Sequence, residues 1–185
     1  MYRIRGTIKG TAPILFNAWT KAELEALDRG GSTGKKTVEQ REKEAYERLY
    51  KNGNGIFLPP WTFKKCLLEG TQKAGVKEGR GSLVPYLAAE VFVDGELLFH
   101  KEEPDFIHTT WGRRPPRTGA ACIVRRPALE AGWEVSFTIV VMEDRRRSDH
   151  IKIGLEAAGL KVGLGSWRPE FGRFVIVDGS WQAEK

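Results

Sequence analysis

The sequence predicts an α+β domain of the ferredoxin-like class, with β-α-β-β-α-β element order and a helical insertion after its first strand. Apolar residues alternate with polar ones in residues 2–10 and 134–141, a pattern of half-buried strands. Apolar residues recur at helical spacing before Gly75 and again before Gly159, which indicates two helices. The 185 residues, 41% of them hydrophobic, suit a single domain over residues 1–185.

The first strand, "YRIRGTIKG", is predicted to bury one face and to expose a basic one. Tyr2, Ile4 and Ile8 fall on the apolar side, and the cations fall on the other. A solvated face is the simplest explanation of the basic side, which is formed by Arg3, Arg5 and Lys9.

Residues 18–55 are predicted to be a helical insertion that leans on the domain. Thr20 and Glu23 form a capping box that opens a short helix, and a second, strongly charged helix follows Thr37. This second helix has too few apolar residues to belong to the core. Its charges are expected to form three i,i+4 pairs: Glu39–Lys43, Glu44–Arg48 and Glu47–Lys51.

The middle of the chain is predicted to contain a helix, a hairpin and an irregular segment. The double proline in "FLPPWTFKKCLLEGTQKAG" starts the helix, because proline suits the first helical position, and Gly75 ends it. A hairpin turn is expected at Asp94-Gly95. Residues 101–116 are expected to be irregular.

The C-terminal part is predicted to contain two strands around an Ala131-Gly132 turn, a helix and a final strand. Ser148 is the expected N-cap of the helix, which Gly159 is expected to end. The final strand lies in "FGRFVIVDGSW".

Positive charge favours a polyanionic partner. Lysine and arginine exceed aspartate and glutamate by six, and the sequence pI is about 9.4. "WGRRPPRTGAACIVRRP" contains no acid, and its prolines keep the arginines extended, as binding along a nucleic-acid backbone requires. A solvated loop is the alternative. The candidate binding residues here are Trp111, Arg113, Arg114, Arg117, Arg125 and Arg126.

The connector "GLGSWRPEFGRF" gives a second set of candidates. It lacks the lysine of a Walker loop and follows a helix, the reverse of a dinucleotide-binding turn. The backbone N–H groups of Gly163, Gly165 and Gly172 are candidates to contact a polymer phosphate. Trp167 is a candidate to stack on a base, and Arg168 and Arg173 add charge. The alternative is a glycine-permitted turn with Trp167 in the core.

The sequence carries no catalytic signature and predicts no cofactor or metal. His100 and His108 flank acids, but a solvated acidic loop explains that segment better than a divalent ion. Cys66 and Cys122 lack metal-ligand spacing and are expected to be buried free thiols. With no signal peptide and no apolar run of membrane-spanning length, a cytoplasmic protein with no membrane contact is expected.

Four segments in order resemble the CRISPR-associated RAMP superfamily. "FLPPWTFKKCLLEG" resembles its helix start, although Pro60, Trp61 and Thr62 replace the family's serines. "RRPALEAGWEVSFTIVV" is similar to its hairpin, "GLKVGLGSWRPEFGRFVIV" to its glycine-rich stretch, and "KGTAPILFN" to the end of its first strand. The backbone subunits that coat guide RNA in antiviral effector complexes are the most similar members.

The resemblance implies an RNA-recognition-motif-like fold that grips the backbone of RNA or single-stranded DNA. It implies stacking into a homo-oligomer or filament along the nucleic acid, contacts with other effector subunits, and a thumb at residues 18–55. Lys64 and Lys65 would then lie near the guide. Target-cleaving members carry a thumb aspartate, and Asp28 is the one aspartate here, with nothing near it that supports this role.

Two alternatives remain at the level of sequence. One is a guide-processing endoribonuclease of the same superfamily. The other is a phage or mobile-element protein that mimics a backbone subunit and binds effector proteins.

Overall fold

A computed structural model describes residues 1–31, 36–113, 119–142 and 147–184, without the side chains of Glu78 and Arg113. Within these residues the chain is a mixed α+β structure with five helices and several antiparallel sheets, which confirms the α+β part of the prediction. The helices are α1 (Lys21–Asp28), α2 (Val38–Glu47), α3 (Pro60–Ala74), α4 (Val84–Glu90) and α5 (Ser148–Lys161).

The strands form one main sheet and three smaller ones. They are β1 (Tyr2–Gly10), β2 (Ile14–Leu15), β3 (Lys51–Asn52), β4 (Gly55–Leu58), β5 (Lys77–Glu78), β6 (Gly81–Ser82), β7 (Val91–Val93), β8 (Leu97–Leu98), β9 (Phe106–Arg113), β10 (Ala121–Leu129), β11 (Glu134–Val141), β12 (Phe174–Ile176) and β13 (Gln182–Glu184). The main sheet is antiparallel with the order β12-β1-β11-β7, and β13 also pairs with β1. The smaller sheets are β2-β10-β9, β3-β4-β8 and β5-β6.

The main sheet buries one face, as its alternating sequence predicts. In β1 the side chains at Tyr2, Ile4 and Ile8 are buried, and Ile4 pairs in register with Ile139 of β11. The helices α3 and α5 contribute buried residues to the same core. The ring of Phe63 on α3, for example, lies 5.0 Å from that of Phe137 on β11.

The helix α3 begins and ends where the sequence predicts. Pro60 occupies its first turn, and Gly75 follows its last residue with a φ of 67°, which a residue with a side chain adopts at a cost. Gly70 allows α3 to approach α5 closely, because a Cβ there would lie 2.4 Å from the carbonyl oxygen of Gly154.

Both predicted ends of α5 are wrong. Ser148 is the first helical residue and caps nothing, and its Oγ accepts a hydrogen bond from Trp181 Nε1 at 3.1 Å. Gly159 lies inside the helix, which continues to Lys161. A Cβ at Gly159 would lie 2.1 Å from the carbonyl oxygen of Phe174, so this glycine allows α5 to pack on β12.

Residues 101–116 are not irregular throughout, contrary to the prediction. Residues 106–113 form β9, which pairs antiparallel with β10 from Phe106–Ala128 to Arg113–Ala121. The paired strand contains Thr109, Thr110 and Trp111, residue types that favour strands, but it lacks the apolar alternation that would have identified it.

The two predicted turns exist, but neither closes a hairpin. Gly95 and Gly132 both have positive φ, of 78° and 95°. After the first turn, β7 pairs with β11 while β8 pairs with β4. After the second, β10 belongs to the β2-β10-β9 sheet while β11 pairs with β1. These turns therefore connect different sheets.

The insertion has its two predicted helices, and capping boxes open both, at Thr20–Glu23 and Thr37–Gln40. The three predicted i,i+4 pairs are not observed among the described residues, and three of their members pair with more distant groups instead. The pairs observed in the described chain are Glu44 with Lys36, Arg48 with Glu23, and Lys51 with Glu102 and Glu103.

Candidate nucleic-acid interface

A cleft of about 240 Å³ between α2 and β10 concentrates guanidinium groups. The insertion supplies Arg41, Glu44 and Arg48, which follow one face of a helix because they are three and four residues apart. The strand β10 supplies Arg125 and Arg126, and Asn17 and two aliphatic residues complete the lining. We call this site the arginine cleft.

Two of its four arginines are paired with carboxylates. Arg48 Nη2 donates to Glu23 Oε1 at 2.6 Å, and Arg48 Nη1 donates to Asn17 Oδ1 at 3.3 Å. Burial raises the pKa of Glu23, but the hydrogen bonds from Arg48 and from the Thr20 backbone outweigh it, so the net pKa is lowered. Arg125 Nη2 lies 3.3 Å from Glu42 Oε1.

The other two, Arg41 and Arg126, have no carboxylate partner among the described residues. The Nε of Arg126 is buried without a hydrogen-bond partner, and its guanidinium lies 5.5 Å from the Trp167 ring centroid. Burial lowers the pKa of Arg126, and the nearby positive charge of Arg48 lowers it further. An anion in the cleft would relieve this repulsion.

Trp167 is packed rather than presented freely to solvent. The ring of His108, which pairs in register with Arg126, lies 5.7 Å from the Trp167 ring and 5.0 Å from that of Phe171. Trp167 is half-buried. The connector and the basic strand, about forty residues apart in sequence (126 to 167), therefore meet where Arg126 contacts Trp167.

The glycines of the connector fold it against β2 rather than form a free cradle. The N–H of Gly163 donates to the Ala158 carbonyl, and that of Gly172 donates to the Pro13 carbonyl, both at 2.8 Å. These two N–H groups are used inside the fold and do not form the predicted phosphate cradle. Gly165 has a φ of 76°, and a Cβ there would lie 2.5 Å from the Leu15 carbonyl oxygen.

Arg168 lies at a second cleft and is paired. Its Nη1 lies 3.3 Å from Glu69 Oε2 and 3.4 Å from the carbonyl oxygen of Gly163. The Cys66 thiol donates to that same carbonyl at 3.1 Å. Burial raises the pKa of Cys66 to about 12, so this thiol is inert at neutral pH. Arg173 is exposed and contributes its carbonyl to the N–H of Thr11 at 2.8 Å.

The remaining candidates lie apart from the cleft or outside the described residues. Trp111 is 68% exposed and pairs in register with Ile123 at the cleft's edge. Lys64 donates to the Ala88 carbonyl at 2.8 Å and lies over the Phe92 ring, and Lys65 is exposed. The side chain of Arg113, and the whole of Arg114 and Arg117, lie outside the described residues.

The open face of the main sheet is a second basic surface, formed by Arg3, Arg5 and Lys9. Arg5 lies 3.2 Å from Glu184, and Lys9 lies 3.0 Å from Glu134. Arg3 has no such pair within the part of the chain that the structure describes.

Sequence reasoning missed Arg41 and Arg48 as site residues. The charge pattern of α2 predicts ion pairs within the helix itself. For that reason it gives no indication that one of its arginines faces another element. The available signal was the helical spacing of Arg41 and Arg48 on the face that also carries Ala45, the buried residue of α2.

The acidic and thiol groups do not assemble into a metal site. Within residues 1–31, 36–113, 119–142 and 147–184, no three His, Cys, Asp or Glu side chains cluster as metal ligands would. The predicted burial of the thiols is right for Cys66, whereas Cys122 is half-buried.

Comparison with known proteins gives no family. No protein-family model matches the chain, and no curated protein sequence matches it. Among the helices in the described ranges, each is too short or too polar to cross a membrane. The function is therefore inferred from the site.

Proposed function

We propose that this chain binds the phosphate backbone of RNA or single-stranded DNA, with the arginine cleft as its principal contact. The observation that carries this proposal is that Arg41 and Arg126 lie beside Arg48 and Arg125, and that the described residues supply too few carboxylates to neutralise all four. Guanidinium groups recognise phosphate through paired, charge-assisted hydrogen bonds. The Asn17 amide, whose oxygen already accepts from Arg48, keeps its N–H donors for an anion.

The proposed fold is the ferredoxin-like arrangement of the RAMP superfamily, with residues 18–55 as the thumb. The support is the chain order of β1, α3, β7, β11, α5 and β12 together with the antiparallel sheet order β12-β1-β11-β7. A β-α-β-β-α-β chain folded in this way places its fourth strand beside its first. The α2–β10 contact puts the thumb against the basic strand.

The half-buried Trp167 supports a backbone role better than a base-stacking one. Its ring is occupied by Arg126 on one side and by His108 and Phe171 at its edges. The exposed Trp111 is the better placed aromatic to stack on a base. A backbone-directed protein is expected to bind different sequences alike.

Fluorescence anisotropy of the full chain with labelled single-stranded RNA, single-stranded DNA and duplex tests the proposal. Between roughly 50 and 200 mM salt, log affinity for the single strands is expected to fall by about 0.7 per log unit of salt for each phosphate neutralised. Weak binding that does not change with salt would refute nucleic-acid binding. Intact labelled RNA on a denaturing gel after the titration separates binding from cleavage.

A matched pair of variants assigns the binding to the cleft. Arg126→Gln removes the desolvated cation and is expected to weaken binding about tenfold, the contribution of a charge-assisted hydrogen bond. Arg80→Gln removes an exposed cation from the turn between β5 and β6, away from the cleft, and serves as the control. Equal losses in the two variants would place the binding surface elsewhere.

A further inference from the structure

The charge balance of the arginine cleft indicates which kind of phosphate it fits. Glu44, which lines the cleft, and the carboxylates paired with Arg48 and Arg125 each have one cation already, whereas Arg41 and Arg126 have no carboxylate partner among the described residues. The described part of the site therefore has a surplus of two positive charges. The neutral pairs are Arg48 with Glu23, Arg125 with Glu42, and Lys36 with Glu44.

The size of the cleft limits how much of a ligand it can enclose. Its volume of about 240 Å³ is below the roughly 300–1,000 Å³ of sites that enclose a drug-sized molecule. One phosphate group with a few waters fits this space. The aliphatic parts of Ile123 and Val124 form one side of the lining and offer no hydrogen bond to an anion.

We infer that the arginine cleft binds a phosphomonoester dianion, the terminal phosphate of a nucleic-acid strand, between Arg41 and Arg126. An internal phosphodiester carries one negative charge and would leave one cation unbalanced, whereas a terminal phosphate carries close to two at neutral pH. Arg126 lines the cleft, and a guanidinium has N–H donors besides its buried Nε with which to bind an anion there. This inference rests on the proposed function, because it takes a nucleic-acid end as the physiological ligand.

The first experiment uses small anions and the full chain, without nucleic acid. Calorimetric titration with inorganic phosphate, largely a dianion at pH 7.5, is compared with dimethyl phosphate, a monoanion at every relevant pH. Phosphate is expected to bind about tenfold more tightly than dimethyl phosphate. Equal affinities for the two anions would overturn the preference for a dianion.

Variants then locate the phosphate. Arg41→Gln on α2 is expected to weaken phosphate binding about tenfold. Lys43→Gln removes a cation from the exposed side of the same helix and is expected to change it less than twofold. Because Arg41 makes no ion pair in the described chain, we expect Arg41→Gln to leave the fold intact, so it tests the assignment independently of Arg126. Equal losses in Arg41→Gln and Lys43→Gln would overturn the assignment.

The second experiment uses one oligonucleotide with a phosphate at its 5′ end, at its 3′ end or at neither. A terminal phosphate is expected to tighten binding about tenfold, and Arg41→Gln is expected to abolish that difference. If all three strands bind equally and with salt dependence, the proposed function stands and this inference fails. If phosphate binds but no strand does, the cleft serves a free phosphate compound and the proposed function fails.

Discussion

The open face of the main sheet and the arginine cleft both carry several cations, but the two surfaces differ in what neutralises them. On the sheet, Arg5 and Lys9 each face an exposed carboxylate, and solvent hydrates all four groups. In the cleft, Arg41 and Arg126 lack such partners among the described residues, and the Nε of Arg126 is buried. We therefore base the proposed anion site on the missing counterions and not on the number of cations.

The two surfaces also differ in how many parts of the chain build them. The open face belongs to one sheet and follows directly from the alternation of β1. The cleft combines a helix of the insertion with a strand of the second sheet, and the connector holds Arg126 through Trp167. Because three segments build the cleft, its affinity for an anion depends on the tertiary contacts between them. We expect variants that loosen these contacts to bind an anion more weakly.

The largest expected effect is on RNA affinity. It is measured with two double variants, one that removes two cations of the cleft and one that removes two cations of the sheet. The double variant Arg41→Gln/Arg126→Gln is expected to lose roughly 100-fold in affinity for single-stranded RNA, because two charge-assisted contacts disappear. Arg5→Gln/Lys9→Gln removes the same charge and is expected to lose less than about threefold. Anisotropy at low salt measures both. Similar losses would show that net charge alone drives binding.

The next largest effect concerns the stability of the insertion. Glu23→Gln keeps the capping box of α1, since glutamine also serves at that position, but removes the ion pair with Arg48. Both partners are about four-fifths buried, and the loss is expected to cost about 2 kcal/mol of unfolding free energy. Urea denaturation measures it. An unchanged midpoint would show that this pair contributes nothing to stability.

The same variant gives a pH dependence with a defined sign. The pKa of Glu23 is lowered in the folded protein, so its stabilising effect is complete above its unfolded pKa of about 4.3 and is lost as pH falls through the folded value. The stability difference between the wild-type chain and Glu23→Gln is therefore expected to be constant near neutral pH. It should shrink below about pH 4.3. A difference that grows in acid would contradict the assigned shift.

The features that the sequence predicted correctly are those set by residues close together in the chain. The alternation of β1, the proline and glycine ends of α3 and the capping box at Thr20–Glu23 depend on residues within one turn or one strand, and they were confirmed. The pairing of β9 with β10, and of β7 with β11, depends on distant partners that a turn signal does not specify.

The residues of the arginine cleft likewise fall into those that the sequence indicated and those that it did not. Arg125 and Arg126 stand out in an acid-free segment, so the sequence could propose them. Arg41 was missed, because its neighbours Glu39, Glu42 and Glu44 make the helix look self-neutralised and only its spacing from Arg48 pointed to a shared face. Only folding shows that Glu42 turns to Arg125 and Glu44 to Lys36, which leaves Arg41 without a partner in the described chain.

A variant at Arg126 is expected to change stability and RNA binding in opposite directions, with a smaller effect on stability. Arg126→Met keeps an unbranched apolar side chain beside Trp167, although a shorter one, and removes a cation that is desolvated and close to Arg48. We expect the unfolding free energy to rise by about 1 kcal/mol, while RNA binding weakens. Urea denaturation and anisotropy on the same sample measure the two effects. Stability that falls with affinity would indicate that Arg126 has a structural role.

The smallest expected effect concerns the open face of the main sheet, where removing two carboxylates leaves their cations unpaired. Glu134→Gln/Glu184→Gln leaves Lys9 and Arg5 without their carboxylates. Because these cations remain hydrated and mobile, affinity for single-stranded RNA is expected to rise by only about threefold, with a slightly steeper salt dependence. Unfolding free energy should change by less than about 1 kcal/mol, as is usual for exposed pairs. A gain as large as the loss in Arg41→Gln/Arg126→Gln would mean that any unpaired cation on this protein binds RNA, and that burial in the cleft contributes nothing.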